Sequence, residues 1–362
     1  MQSERSRYIV FIGSYAEPSD PGIFAYTLDT ATGELALINS FGGVKNPCFL
    51  DIDHDNRKIY AVAEALPGEN DEPHALALAF AFDPASGLLN LMSEQKTVGR
   101  ATCHIHYDKE RRMAVVTSYS GGAIGLLPVK EDGTLAPLAD AHYHQGSGTH
   151  PTRQDRPHPH SSYARGSRLY VPDLGLDRIV SYEPDAERMK LIPGIEYAVA
   201  PGAGPRHMAF HPEQPYAYVI NELDSTITVL KIAANGSLQP VSTVSTLPSG
   251  FAGDNTCAEI RITPDGRYLY GSNRGHDSIA VFKTGGAGSE LELVEIRSSL
   301  GVRPRNFDIS PDGRFLVAAH QDTGNLVVFR IDSDSGRLHD TGYRGDAPQG
   351  VCVRFWNRPL SV

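Results

Sequence analysis

The chain repeats itself, and the repeat decides what it can fold into. A small or proline residue, a short apolar strand, a turn with charged, glycine or proline residues, and a second strand of the Tyr-Leu-Tyr-Val type recur along its length. First-strand copies begin at Pro47 (PCFLDID), Thr102 (TCHIHYD), Pro157 (PHPHSSY), Pro205 (PRHMAFH), Cys257 (CAEIRIT), Pro304 (PRNFDIS) and Pro348 (PQGVCVRF). The first six are followed by KIYAVAE, MAVVTSY, RLYVPDL, YAYVINE, YLYGSNR and FLVAAHQ. Third strands rich in β-branched and aromatic residues, such as STITVLKI and NLVVFRID, come next. Asp132-Gly133, Asn235-Gly236, Asp265-Gly266 and Asp312-Gly313 punctuate them as turns. No amphipathic helical period of useful length intervenes. Repeats of roughly 40–50 residues with four short strands predict an all-β propeller, whose radial closure leaves only short, protected edges. Seven first strands predict seven blades.

The ends predict how the ring closes. The seventh copy has no second strand because the chain stops, and the N-terminal YIVFIGSY, GIFAYTLD and ELALINS read as a second, third and fourth strand. One blade is therefore expected from both ends, in a single domain spanning 1–362 with flexible ends at 1–7 and 357–362. The GGAGS stretch at 285–289 reads as a plain flexible loop. Two long insertions, 139–156 and 245–256, each precede a first strand. Both are expected on the rim where first strands begin, walling a pocket over the central channel.

Charge and motif content narrow the partners. The net charge is −10 with no basic block, which argues against nucleic acid and anionic membrane as partners. No apolar run approaches a membrane span, and MQSERSRYIVFIGSY lacks the apolar core of a signal peptide, so a cytoplasmic chain is expected. A monomer is compatible with this composition. Cys48, Cys103, Cys257 and Cys352 have no CxxC spacing and read as buried, reduced thiols. His142, His144, His150 and His158 match no usual ligand spacing, and there is no P-loop or dinucleotide fingerprint. Neither metal nor cofactor is expected. Ser161-Ser162 beside His160 lacks the strand-to-helix context of a nucleophile elbow.

The candidate site starts from one hairpin, residues 202–230. Adjacent antiparallel strands place the start of the first beside the end of the second, so Arg206 and His207 are expected near Asn221 and Glu222. Registering the repeats puts His104, His207, Glu259 and Asn306 at one level, preceded by Cys103, Arg206, Ala258 and Arg305, with His158 or His160 close to it. The second strands end at Glu64, Tyr119, Leu174, Glu222, Arg274 and Gln321, preceded by Ala63, Ser118, Asp173, Asn221, Asn273 and His320. Any one of these polar groups can simply bond a neighbouring loop, and Arg206 can pair with Glu222. Three arginines, 206, 274 and 305, with only Glu222 and Glu259 as partners, point instead to an anionic ligand, because guanidinium forks match carboxylate or phosphate.

The segments RQDRPHPHSSY, YVPDLGLDRIVSY, GAGPRHMAFHP, AYVINELDSTITVL, AEIRITPDGRYLYGSNRGHDSIAVF and PRNFDISPDGRFLVAAHQ resemble those of the seven-bladed propeller lactonase family, from Tyr8 to about Phe355. The resemblance implies a metal-independent enzyme with its site at the mouth of the channel. It implies a catalytic group of His160 in HPH, Arg206 in GPRH, Glu222 in NEL and Arg274 in SNRG, with Arg305 and Gln321 lining the same pocket. His207, His104, Asn221 and Asn273 join them as substrate-binding candidates from the register. His320-Gln321 stands where the family usually has Asn-Gln. The implied reaction is hydrolysis of a small anionic lactone, 6-phosphogluconolactone first, with Glu222 as the general base. The alternatives are formation of a lactone from a carboxymuconate, and a propeller that only binds an anion or a protein.

Overall fold

Each repeat folds as a four-stranded antiparallel sheet, and seven sheets succeed one another around a channel. The computed structural model describes residues 6–65, 74–99 and 101–361. Six blades are continuous in sequence, over 45–96, 102–143, 163–198, 205–245, 256–298 and 304–346. In each, the first strand is innermost and the fourth outermost. In the fourth blade, Pro205–Phe210, Tyr216–Asn221 and Thr226–Ile232 are mostly buried, whereas the outer strand Leu238–Ser245 is mostly exposed. The middle strands are sandwiched between neighbouring blades, which is why their sequences read as continuous apolar runs rather than alternating ones.

The seventh blade closes the ring. Gly350–Phe355 pairs with Ser6–Ser14, with Val10 opposite Phe355 and Ile12 opposite Val353. Ile23–Asp29 and Leu35–Phe41 complete the sheet. The C-terminal end, where flexibility is expected from the sequence over 357–362, is held as far as Ser361. Trp356 Nε1 and Arg358 Nε donate to the His54 carbonyl at 2.9 and 3.1 Å, and Leu360–Ser361 then pairs with Arg7 and Ser6. The 285–289 loop likewise contains a 3-10 turn, Gly286–Gly288, held by the Tyr218 hydroxyl on the Gly288 carbonyl at 2.7 Å. Among the described residues no helix is long and apolar enough to cross a membrane.

The third blade departs from the expected start at Pro157. Its regular inner strand is only Tyr163–Arg165. Pro157 and Pro159 have no N–H to give to a ladder, so the preceding residues make a looser alignment, with His160 N donating to Pro172 O at 2.9 Å and Leu174 N to His158 O at 3.0 Å. The insertion that precedes it begins as the outer strand of the second blade, Asp140–Tyr143.

One irregularity recurs and places the site. Pro205 faces Asn221 but His207 faces Ile220, which leaves Arg206 as an extra residue. The same slip leaves Cys103 between Thr102 and His104, and Arg305 between Pro304 and Asn306. A bulge of this kind bends the strand and re-aims the extra side chain. Positions 103, 206 and 305 are thereby presented together at the mouth of the channel.

Closure should carry a large share of the stability. Ile12 is fully buried in the closing blade. Ile12→Ala is expected to cost about 2–5 kcal/mol in chemical denaturation, with no change in the far-ultraviolet signal of the folded state.

Candidate active site

The bulged Arg305 and the second-strand ends Glu222 and Arg274 line a cavity of about 470 Å³, while the bulged Arg206 lines a smaller chamber beneath it. Glu222 follows the strand Tyr216–Asn221, and its N–H donates to Gly204 O at 2.7 Å, pinning the hairpin. Its buried carboxylate is shared: Oε2 lies 2.9 Å from both Arg206 Nε and Arg274 Nη2, and Oε1 contacts Arg153 Nη2. Arg206 Nη1 donates to Ala258 O at 2.6 Å and Arg274 Nη2 to Cys257 O at 2.7 Å, so the fifth blade's inner strand anchors both guanidiniums. Arg153 also reaches the Tyr119 hydroxyl at 3.3 Å.

Arg305 is held differently. Its Nη1 meets Gln321 Oε1 at 3.4 Å, and its guanidinium lies 5.7 Å from the Tyr15 ring centroid. Among the described residues it forms an ion pair with no carboxylate. His160, buried beside it, lines the same cavity as Glu222, Arg274 and Arg305.

Burial and neighbouring charge set the protonation states. Burial pushes the Glu222 carboxyl up, but the guanidiniums of Arg274, Arg206 and Arg153, with His160, outweigh it and hold it well below the usual carboxylate range. Burial, then the charges of Arg206 and His207, push His160 well below the usual imidazole range, so it is neutral at physiological pH. Burial lowers Arg274 to about 10, against the pull of Glu222. Glu222 is therefore a stabilised carboxylate, and His160 a neutral imidazole with a free lone pair.

The structure brings Glu222, His160, Arg206, Arg274 and Arg305 together, with Gln321 behind Arg305. His207 lies one layer lower, under the floor. Arg206, His207 and Gln321 lie outside the cavity lining, and so do His104, Asn221 and Asn273, which are engaged elsewhere. His104 stacks on Phe49, with ring centroids 4.2 Å apart, and receives Ser162 N at 3.4 Å. Asn221 Nδ2 donates to the hydroxyls of Thr226 and Thr228 at 2.8 and 3.0 Å. Asn273 bonds Thr246 and Ser278. Successive side chains of a strand point to opposite faces; with Glu222 and Arg274 over the rim, the residue before each is turned into the blade.

Several lining residues went unassigned in the sequence, among them Glu64, Tyr119, Tyr15, Arg153 and Arg303. Glu64 and Tyr119 end their second strands as Glu222 does, and Tyr15 ends the N-terminal one, so the repeat register carried their signal. Arg153 had only the position of its insertion, and the structure confirms that this insertion lies on the rim. The histidines of the insertion and just after it do local work: His144 bridges Asp173 and the Tyr182 hydroxyl at 2.6 and 2.8 Å, and His158 stacks on Tyr119 at 4.2 Å. His150 Nδ1 accepts Arg153 N at 3.2 Å. Among the described residues no group of these side chains is arranged to hold a metal ion.

A family model described as lactonase, seven-bladed β-propeller, matches residues 9–355. The chain belongs to that family. A 6-phosphogluconolactonase of Bacillus subtilis is 35% identical over 359 residues, 97% of this chain and 99% of the relative. A crystal structure titled as a putative 6-phosphogluconolactonase from Bacteroides fragilis is 32% identical, with a TM-score of 0.88 over 96% of this chain and 98% of that one. The periplasmic gluconolactonase of Pseudomonas aeruginosa is also 32% identical, with a TM-score of 0.89 over 96% and 99%. The lactonase fold and the propeller predicted from the repeats are thus the same object, and this lactonase is a carboxylic-ester hydrolase by family.

The buried carboxylate gives the lactonase an acid-sensitive bond. A depressed folded pKa contributes stability that is whole above the unfolded value, about 4.3–4.5, and is lost as pH falls toward the folded value. The stability difference between wild type and Glu222→Gln should be constant from about pH 5 to 8 and should shrink below about pH 4.5, read as urea midpoints. A difference that does not change with pH would show that Glu222 is not held by charge.

Proposed function

We propose that the protein hydrolyses a phosphorylated sugar-acid δ-lactone, 6-phosphogluconolactone, to the open acid. The observation that carries this reading is Arg305: a half-buried guanidinium on the cavity wall that pairs with no carboxylate among the described residues, beside a Glu222 already shared by three others. An anion entering the cavity would meet a net positive wall, and a phosphate on Arg305 would turn the lactone carbonyl toward Arg274.

His160, rather than Glu222, is the better base in this arrangement. Protonating Glu222 would remove the charge that holds three guanidiniums together, whereas His160 is neutral and its imidazolium would form close to Glu222. His160 takes a proton from water as the oxygen attacks the carbonyl carbon, a contribution of roughly 10²–10⁴ in rate. Arg274 faces the oxyanion, and such a donor is typically worth about 10²–10³. The ring C–O bond then breaks, and the imidazolium returns its proton to the departing oxygen. A δ-lactone is reactive enough for water activated in this way.

The test is acid release in a pH-stat from fresh 6-phosphogluconolactone and from unphosphorylated gluconolactone, each against a no-enzyme control. The expected result is faster turnover of the phosphorylated lactone. Arg305→Ala should lower its kcat/KM by about 10²-fold, as for loss of a hydrogen-bonded charge pair, and should spare the unphosphorylated lactone. His160→Gln should lower kcat on both by about 10²–10⁴. Equal rates on the two lactones would remove phosphate from the reading, and no acceleration of either would remove the sugar lactone itself.

A further inference from the structure

Below the cavity floor lies a chamber of about 10 Å³, room for one water molecule. His160, His207, Arg206 and Arg305 are among its walls. His207 is fully buried and its Nδ1 lies 3.1 Å from Glu259 Oε1, while its buried Nε2 has no hydrogen-bond partner among the described residues. Glu259 is fixed on all sides: Oε1 also accepts Ile260 N at 3.0 Å and lies 3.4 Å from Arg261 Nη1, and Oε2 accepts from Asn306 Nδ2. A carboxylate in that position accepts, so the His207 hydrogen sits on Nδ1 and Nε2 presents a bare lone pair. The ring of His160 is 5.2 Å away, centroid to centroid, at 70°. Among the described residues His160 Nδ1 has only Cys103 Sγ, at 4.0 Å, and that sulfur is closer to the His160 carbonyl, at 3.3 Å.

We propose that one water resident in this chamber joins the two rings, donating to His207 Nε2 and accepting from His160 Nδ1 and from a guanidinium of the floor. A buried lone pair left unmet is costly, and a site with three polar partners is what an internal water needs. Glu259 and His207 are then positioning residues for His160. The chain from Glu259 through His207 and the water fixes His160 with its hydrogen on Nδ1 and leaves Nε2 bare for the cavity. When Nε2 takes the proton from the attacking water, the new charge is shared down this chain toward Glu259, and no bond within it breaks. That catalytic consequence rests on the lactonase reading; the tautomer and the water do not.

The test is ¹⁵N-histidine NMR of the full chain at neutral pH, with His160→Gln and His207→Phe used to assign the two rings. Both are expected as Nδ1–H tautomers in the wild type. In Glu259→Gln and in His207→Phe, each verified as folded by thermal unfolding, His160 should lose its preference for Nδ1–H. In the same variants kcat should fall about tenfold, the worth of one hydrogen bond, with KM within about twofold. A wild-type His160 carrying its hydrogen on Nε2 would overturn the proposal, as would a tautomer unchanged in both variants. The expected tautomers together with no turnover of any lactone would support the water chain and sink the lactonase reading alone.

Discussion

Neighbouring inner strands of the ring belong to different sheets, so side chains must join what backbone ladders do not. They do so at two levels. At the upper level Asn306 Oδ1 accepts Val353 N at 2.8 Å, His104 Nδ1 accepts Ser162 N at 3.4 Å, and Glu259 links His207 to Asn306. Two residues further down, Asp51 accepts Tyr107 N at 2.7 Å, His106 accepts Ala164 N at 3.1 Å, and Asp308 accepts Phe355 N at 3.1 Å while pairing with Arg261. Buried donors and acceptors that would each cost about 1–3 kcal/mol if unmet are satisfied only when the blades stand at the right spacing. The polar residues inside the ring are therefore part of what sets its diameter.

The same belts explain why the level of the candidate site was readable and its details were not. The register of the repeats located the level at once, because Cys103, Arg206 and Arg305 share one position and Glu64, Tyr119 and Glu222 another. Register cannot say which way a side chain turns. A bulge frees Arg206 and Arg305 toward the mouth, whereas His104, two places into an equivalent strand, turns toward Phe49 and the third blade. Asn221 and Asn273 sit one residue before rim positions, so strand parity removes them. Arg153 depends on a loop whose path is set by contacts such as Gln154 Nε2 on Asp177 at 2.6 Å, and no local sequence rule predicts such a contact.

Gathering arginines in a buried rim requires a compensating charge at their centre. Glu222 supplies it, and carbonyls exposed by the fifth blade's bulge satisfy part of what remains on Arg206 and Arg274. Removing one member of a buried pair typically costs about 3–5 kcal/mol because the other charge is left unmet. This bears on the proposed chemistry as well: a carboxylate that three guanidiniums depend on is a poor choice to accept a proton, since each turnover would loosen the rim proposed to bind the substrate.

The cavity also limits what can attack an ester carbon. Burial pushes the thiols of Cys48 and Cys103 up, against partial relief from Arg305 for the first, and from Thr117 and Arg206 for the second. Burial likewise raises the phenols of Tyr15 and Tyr119. The nucleophile in each case would be the anion, and burial disfavours it. Ser161, adjacent to His160, spends its hydroxyl on the Arg206 carbonyl at 2.7 Å. In the proposed reaction a neutral imidazole beside a positive rim would activate the one nucleophile that needs no prior ionisation in place, a water molecule brought in with the substrate. The arginines would then serve the carbonyl oxygen and the anion rather than a covalent intermediate.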